Sequence, residues 1–344
     1  MGGFGVDEEI AGLAMDYKMT VDENPISILG YQLVIPPNNK GLVGVHQTEH
    51  IMAMLERWET HPELPMPTRG IDTCNHKLPY NKATDLRNLS GEEPEEDIGS
   101  WRELVGDLQW IQTRPEIAFI VKQLSQAVGR VTPSHKKAAH DLLKYLRANP
   151  SVCLVYGRDP AGSPIPLGTV DSEYGYEQVR HGKASFGYGI MVKRGLVAAK
   201  AKTSKSVALS TCEAEVMGMT TLAQHLQKIR NYLRDLGYNV DLPSIVYEDN
   251  KGAVDYARNP AVTRGMRHIA LRWHYARQLQ QEGEIDIKHC KTTEMAADIF
   301  TKMLDFPKFD FCCKQLGLMP RNALLQFNRE YAAGRVDLEG NTLN

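Results

Sequence analysis

The sequence predicts an α/β fold: a mixed sheet with flanking helices, preceded by a small, wholly helical region. Three observations carry that prediction. From Gly99 to Ala148 apolar residues recur at the three-and-four spacing of helices, with no alternating strand pattern among them. After the turn-forming Ala148 to Ser151, strand-like runs and helices follow in the order β-β-β-α-β-α-β-α, which marks a layered α/β sheet. The chain is also long enough: 344 residues, 42% hydrophobic and 24% charged, suit about two soluble domains.

In chain order, "PISILGYQLVIPPNNKGLVGVHQ" reads as two strands around a Pro-Asn turn, with a helix near His46 to Glu59. "GEEPEED" (Gly91 to Asp97) has the composition of a solvated linker. Trp101, Leu104, Val105, Leu108 and Ile111 form one helical stripe. Thr113-Arg114-Pro115-Glu116 opens a second helix, with proline in its first turn and capping-box spacing. Thr132-Pro133 opens a third, whose Lys136, Lys137, Lys144 and Arg147 make it basic. "PIPLGTVDSE", "ASFGYGIMV" and "GLVAAKAKT" then read as an antiparallel meander. A long helix follows, with Val216, Met219, Leu222, Leu226, Ile229 and Leu233 on one face and Gly237 as its stop. "SIVYEDN" and "EIDIKHC" are two more strands, and "TTEMAADIFTKML" one more helix.

Composition sets bounds on function. No run of eighteen apolar residues occurs, so no membrane partner is expected. "MGGFGVDEEI" lacks the basic and apolar regions of a signal peptide, which points to an intracellular, cytoplasmic or nuclear location. Six cysteines without a CxxC pair read as scattered thiols rather than a zinc site or disulfide framework. Net charge is only −2, yet Gln178 to Cys212 carries seven Lys or Arg and no acid, and Tyr256 to Gln281 five Arg and no acid. Two acid-free basic stretches flanking one helix point to a polyanion; Lys200, Lys202, Lys205, Arg264, Arg267, Arg272 and Arg277 are the candidate phosphate contacts.

The long helix opens with "STCEAE", two glutamates separated by one residue. Side chains two apart on a helix diverge by about 200°, so the two do not share a task. Glu213 lies three residues after Ser210, the capping-box spacing. Glu215 is open to two readings: a charge favoured by the helix dipole, or a member of a site. Two strands end in aspartate, Asp171 and Asp249, and a right-handed crossover through the helix would make those strands parallel. If adjacent, their ends lie about 4.8 Å apart. Glu215 could join them, and Asp298 adds a fourth carboxylate. Each alone has an ordinary explanation as a turn or helix-start acid. Together, four unpaired carboxylates repel unless divalent cations lie between them, and hard oxygen ligands favour Mg2+ or Mn2+. A pair of such ions suits phosphodiester hydrolysis.

"TVDSEYGY", "VALSTCEAEVMGM", "IVYEDNKGAV", "MRHIALRWHYARQLQQEGEIDI" and "TEMAADIFTKML" resemble, in order and spacing, the ribonuclease H domain of copia-type retrotransposon polyproteins. "ILGYQL", "LVGDLQWIQTRPEIAFIVKQLSQ" and "HKKAAHDLLKYLRANPSVCLVYG" resemble the end of that polyprotein's reverse transcriptase. The resemblance implies a ribonuclease H-like mixed five-stranded sheet over 151–306. Before it would lie a palm-end remnant over 1–90 and a thumb-like helical region over 91–150, and after it a helix and tail over 307–344. It implies that Asp171, Glu215, Asp249 and Asp298 hold two Mg2+ or Mn2+ ions, that Glu213 starts the helix, and that the substrate is the RNA strand of an RNA–DNA hybrid. The rest of a polyprotein would be a further partner. Departures are visible. The family's Asp-Ala-Asp-Trp is Asp171-Ser172-Glu173-Tyr174 here, and no Asp-Asp pair exists in the chain to serve polymerisation. The chain therefore reads as a polyprotein fragment with a nuclease site and no polymerase site. The alternative is a non-catalytic relic that binds nucleic acid.

Overall fold

The computed structural model describes residues 26–36, 41–72, 75–82, 86, 92–94, 99–157, 164–177, 183–259 and 274–342. The Pro-Asn turn and Arg264, Arg267 and Arg272 lie outside them. Two five-stranded sheets organise the chain.

The first sheet is β1 (Ser27–Ile28), β2 (Tyr31–Val34), β3 (Leu42–His46), β4 (Val152–Gly157) and β10 (Leu318–Pro320), in that spatial order and antiparallel throughout. The boundary expected at 151 falls just before β4, yet β4 pairs within this first sheet. The expected C-terminal helix and tail likewise supplies β10, then a helix over Arg321–Ala332. That helix packs so closely that a Cβ at Gly44 would lie 2.4 Å from Leu324 Cδ2. Its buried Asn328 accepts from Leu42 N and donates to Leu42 O, both at 2.9 Å, so this helix is tied to the start of β3.

Helices α1 (Thr48–Glu59), α2 (Gly99–Trp110), α3 (Ala118–Gln126) and α4 (Pro133–Ala148) follow β3. The stripe Trp101, Leu104, Val105 and Leu108 is buried as its spacing predicts. Pro115 starts a short 3-10 turn, Pro115–Ile117, ahead of α3 rather than an α-turn. There Arg114, 1% exposed, pairs with buried Glu116 at 2.5 Å. Helix α4 has the Thr132/His135 capping box. Glu92, from the stretch expected to be a free linker, accepts from Ser134 N at 3.2 Å and so holds the start of α4.

The second sheet has the order β7-β6-β5-β8-β9: β5 (Leu167–Glu177), β6 (Lys183–Val192), β7 (Gly195–Val207), β8 (Ser244–Glu248) and β9 (Ile285–His289). The meander is antiparallel; β8 lies parallel to both β5 and β9, the mixed sheet predicted from sequence. The crossover helix α5 (Thr211–Asp235) packs on one face, where a Cβ at Gly218 would approach Ser172, Val170 and Phe186. The shorter α6 (Lys251–Arg258) and α7 (Tyr275–Gln281) complete that layer's core with Val216, Leu222, Val246 and Ile287. On the other face sits "AADIF", expected to be helical but folded as a 3-10 turn over Ala296–Phe300, before α8 (Phe306–Gln315). Phe300 belongs to the same core as Trp58, Trp101 and Leu142, so the N-terminal helices brace this turn from behind.

Candidate metal centre

Register places the first aspartates. β5 and β8 pair in parallel with Thr169 opposite Tyr247, so Asp171 and Asp249 lie two residues further along adjacent strands. Contrary to expectation, Asp171 does not end its strand; β5 continues to Glu177, and the bulge after Glu173 lies beyond the site. Asp249 does come just after β8.

The two glutamates separate as their helical spacing requires. Ser210 Oγ accepts from Glu213 N at 3.1 Å, and the Glu213 carboxylate accepts from Leu209 N at 2.7 Å, one residue before the expected cap. Glu215, the fifth residue of α5, begins the second turn rather than sitting in the first. Ser172 Oγ donates to Ala214 O at 3.1 Å, tying β5 to the helix at this level. Carboxylate oxygens of Asp171, Glu215 and Asp249 lie within 4.8 Å of one another.

Asp298 takes a different position. The 3-10 turn docks where β6 has Gly187, the cross-strand partner of Asp171; a Cβ there would lie 2.2 Å from Phe300 Cβ. Asp298 is buried and both its oxygens face ammonium groups, Oδ1 at 2.8 Å from Lys302 Nζ and Oδ2 at 3.2 Å from Lys308 Nζ. Lys302 also reaches Asp171 Oδ1 at 3.3 Å, while the Thr301 hydroxyl donates to Asp171 Oδ2. The structure therefore brings three of the four predicted carboxylates into one oxygen cluster and links the fourth to it through a lysine.

Sequence reasoning passed over Glu248. It is fully buried beside the cluster, Asn250 N donates to its Oε1 at 3.0 Å, and its Oε2 has no partner. The signal was available: Ser244, Val246 and Glu248 alternate onto the buried face of β8. Thr301 and Lys302 were missed as well, although Lys302 stands four residues after Asp298.

Burial dominates the electrostatics. It pushes the Asp171 carboxyl up to about 7, with Lys302 opposing and Asp298 adding to the rise. Burial, then the Glu248 and Asp171 charges, push Glu215 up to about 11. Glu248 is raised well above the carboxylate range, again by burial first. Such crowding is costly unless a cation is shared. The buried, unpartnered Glu215 Oε2 beside two further carboxylates is a donor set for a hard divalent ion. These residues fit one.

The predicted phosphate contacts divide. Lys200 and Lys202 pair across from Tyr188 and Phe186 on the edge strand, on the α5 face of the sheet, whereas Asp171 and Gly187 face the other. Lys200 and Lys205 are exposed, Lys202 half-buried. Arg277 is not a surface contact: it is 8% exposed, with its guanidinium over the Tyr256 ring at 5.9 Å. Tyr256 OH also bonds His274 Nδ1 at 2.8 Å, so both residues serve packing.

No family model matches the chain. A retrovirus-related Pol polyprotein from a transposon of Nicotiana tabacum is 26% identical over 315 residues, 90% of this chain and 23% of its own length. Another, from Arabidopsis thaliana, is 28% identical over 224 residues, 64% of this chain and 15% of its own. The chain thus spans less than a quarter of the curated relatives it matches. Among solved structures, a ribonuclease H1 isolated from compost aligns with 40% of this chain and 92% of its own, at 15% identity and a TM-score of 0.32. The second sheet, with its crossover helix, is the mixed five-stranded sheet expected from the motifs. In sequence the chain is similar to retrovirus-related Pol polyproteins of plant transposons over 64–90% of its length, the resemblance that its motifs suggest.

Proposed function

We propose that the chain is a divalent-metal-dependent nuclease of the ribonuclease H type that cuts the RNA strand of RNA–DNA hybrids. Within a Pol polyprotein the remaining segments would be its partners. One observation carries the reading: the Asp171, Glu215 and Asp249 oxygens lie within 4.8 Å, with Glu215 buried and one of its oxygens unpartnered. These three residues would hold the ion. When bound, Mg2+ or Mn2+ supplies Lewis-acid activation of the phosphodiester and of water. The chain's own residues do the positioning. Thr301 orients the Asp171 carboxylate, the capped start of α5 aims Glu215, and the short parallel pairing of β5 with β8 aligns Asp249. Glu215 must lose its proton to serve as a ligand, so binding releases protons.

The test is cleavage of a hybrid labelled on its RNA strand. Internal cuts that need Mg2+ or Mn2+ and vanish with chelator are expected. A folded chain that leaves the hybrid intact with either metal would overturn the proposal. It would favour a second reading, a non-catalytic relic, which has its own support: two lysines already neutralise Asp298.

A further inference from the structure

Of the four carboxylates read from the sequence as metal ligands, Asp298 is linked to the cluster through Asp171, and the two already share an ammonium group. Lys302 Nζ is 2.8 Å from Asp298 Oδ1 and 3.3 Å from Asp171 Oδ1. Oxygen ligands of Mg2+ lie about 2.0–2.1 Å from the metal. An ion bridging those two oxygens would compete with the ammonium that already bridges them. The second Asp298 oxygen offers no way around. Lys308 holds it at 3.2 Å, and that lysine is itself fixed by the carbonyls of Thr292 at 2.9 Å, Thr293 at 2.9 Å and Met295 at 2.8 Å. The other oxygen of Asp171 accepts from Thr301.

We propose that Lys302 occupies the place of a second ion, making this a one-ion centre held by Asp171, Glu215 and Asp249, with Asp298 positioning the lysine instead of binding metal. The inference rests on the functional reading above and reduces to one the two ions that the family resemblance implies. It assigns Lys302 and Lys308 a role in metal stoichiometry, with Lys308 keeping Asp298 neutralised if Lys302 moves.

The test is Mn2+ stoichiometry on the full chain without nucleic acid, by titration calorimetry and electron paramagnetic resonance. The wild type should bind one Mn2+ and show an isolated-ion spectrum. Lys302→Met should bind two and show the spectrum of a coupled pair. Asp298→Asn should still bind one, since Asp298 is not a ligand. Two ions in the wild type, one in a folded Lys302→Met, or none in Asp298→Asn overturns the inference and leaves the nuclease reading standing. No Mn2+ in the wild type overturns both. Should Lys302→Met not fold, the wild-type and Asp298→Asn counts decide.

Discussion

Replacing Glu215 by glutamine separates the carboxylate's ligand role from its structural role. Its ordinary value is 4.5, and burial with the Glu248 and Asp171 charges raises it to about 11 in the folded chain. At pH 7 the unfolded chain therefore carries this group ionised and the folded chain carries it protonated. For an acid with a raised folded value, stability falls as pH rises, beginning near 4.5 and continuing toward 11. At about 1.4 kcal/mol per pH unit, the loss reaches about 3 kcal/mol at pH 7 as an upper bound. Glutamine has the same shape and no such loss. Without metal, Glu215→Gln should melt above the wild type at pH 7, by at most roughly 6–12 °C. The two should converge below pH about 4, where both states are protonated. Added Mg2+ should reverse the order. An ion that binds only the folded chain stabilises the wild type by about 4.1 kcal/mol at a thousandfold excess over Kd, more than the variant's lead of about 3 kcal/mol. The variant, lacking one hard anionic ligand, should gain far less. Hybrid cleavage should fall by at least about 100-fold, since even outer-shell changes cost 10–100-fold. The assay is a set of thermal melts across pH with and without Mg2+, beside single-turnover cleavage. A variant that melts below the wild type in chelator and still cleaves normally would refute the reasoning.

Three further outcomes follow from the geometry. Glu213→Gln should keep both stability and cleavage, because an amide oxygen can still accept from Leu209 N; Glu213→Ala should cost about 0.5–2 kcal/mol in denaturant melts and leave chemistry nearly intact. An inactive Glu213→Gln would mean the two glutamates had been assigned the wrong way round. Gly187→Ala should push the Phe300 turn away from β6 and weaken Mn2+ binding through Asp171, its cross-strand partner; calorimetry showing unchanged affinity would refute that coupling. Replacing Lys200 and Lys202 together with alanine should flatten the salt dependence of hybrid binding by about 0.9 per lost phosphate contact. An unchanged slope would make them solvated charges on the α5 face.

Local patterns were enough for much of this molecule. The stripes of α2 and α5 could be read because burial of one helical face leaves a period in the chain, and the Ser210–Glu213 spacing announced where α5 starts. The parallel partnership of β5 and β8 followed from the handedness of a crossover, and with it the meeting of Asp171, Asp249 and Glu215. What sequence could not decide depended on contacts between distant segments. Strand β4 carries no mark of which sheet it joins; its partners, Leu42–Val45 and Leu318–Pro320, come from opposite ends of the chain. Arg277 looks like any basic-stretch arginine until the fold turns it under Tyr256. Glu248 and Asp249 are neighbours in sequence, and only the pleat and the layers on either side make one fully buried and leave the other partly exposed. Asp298 is the clearest case. Its motif marks it as a metal ligand, but the turn that carries it, docked over Gly187 and backed by the N-terminal core, sets two lysines against its oxygens. A carboxylate's chemistry depends on the charge opposite it, and here packing between remote parts of the chain supplies that charge.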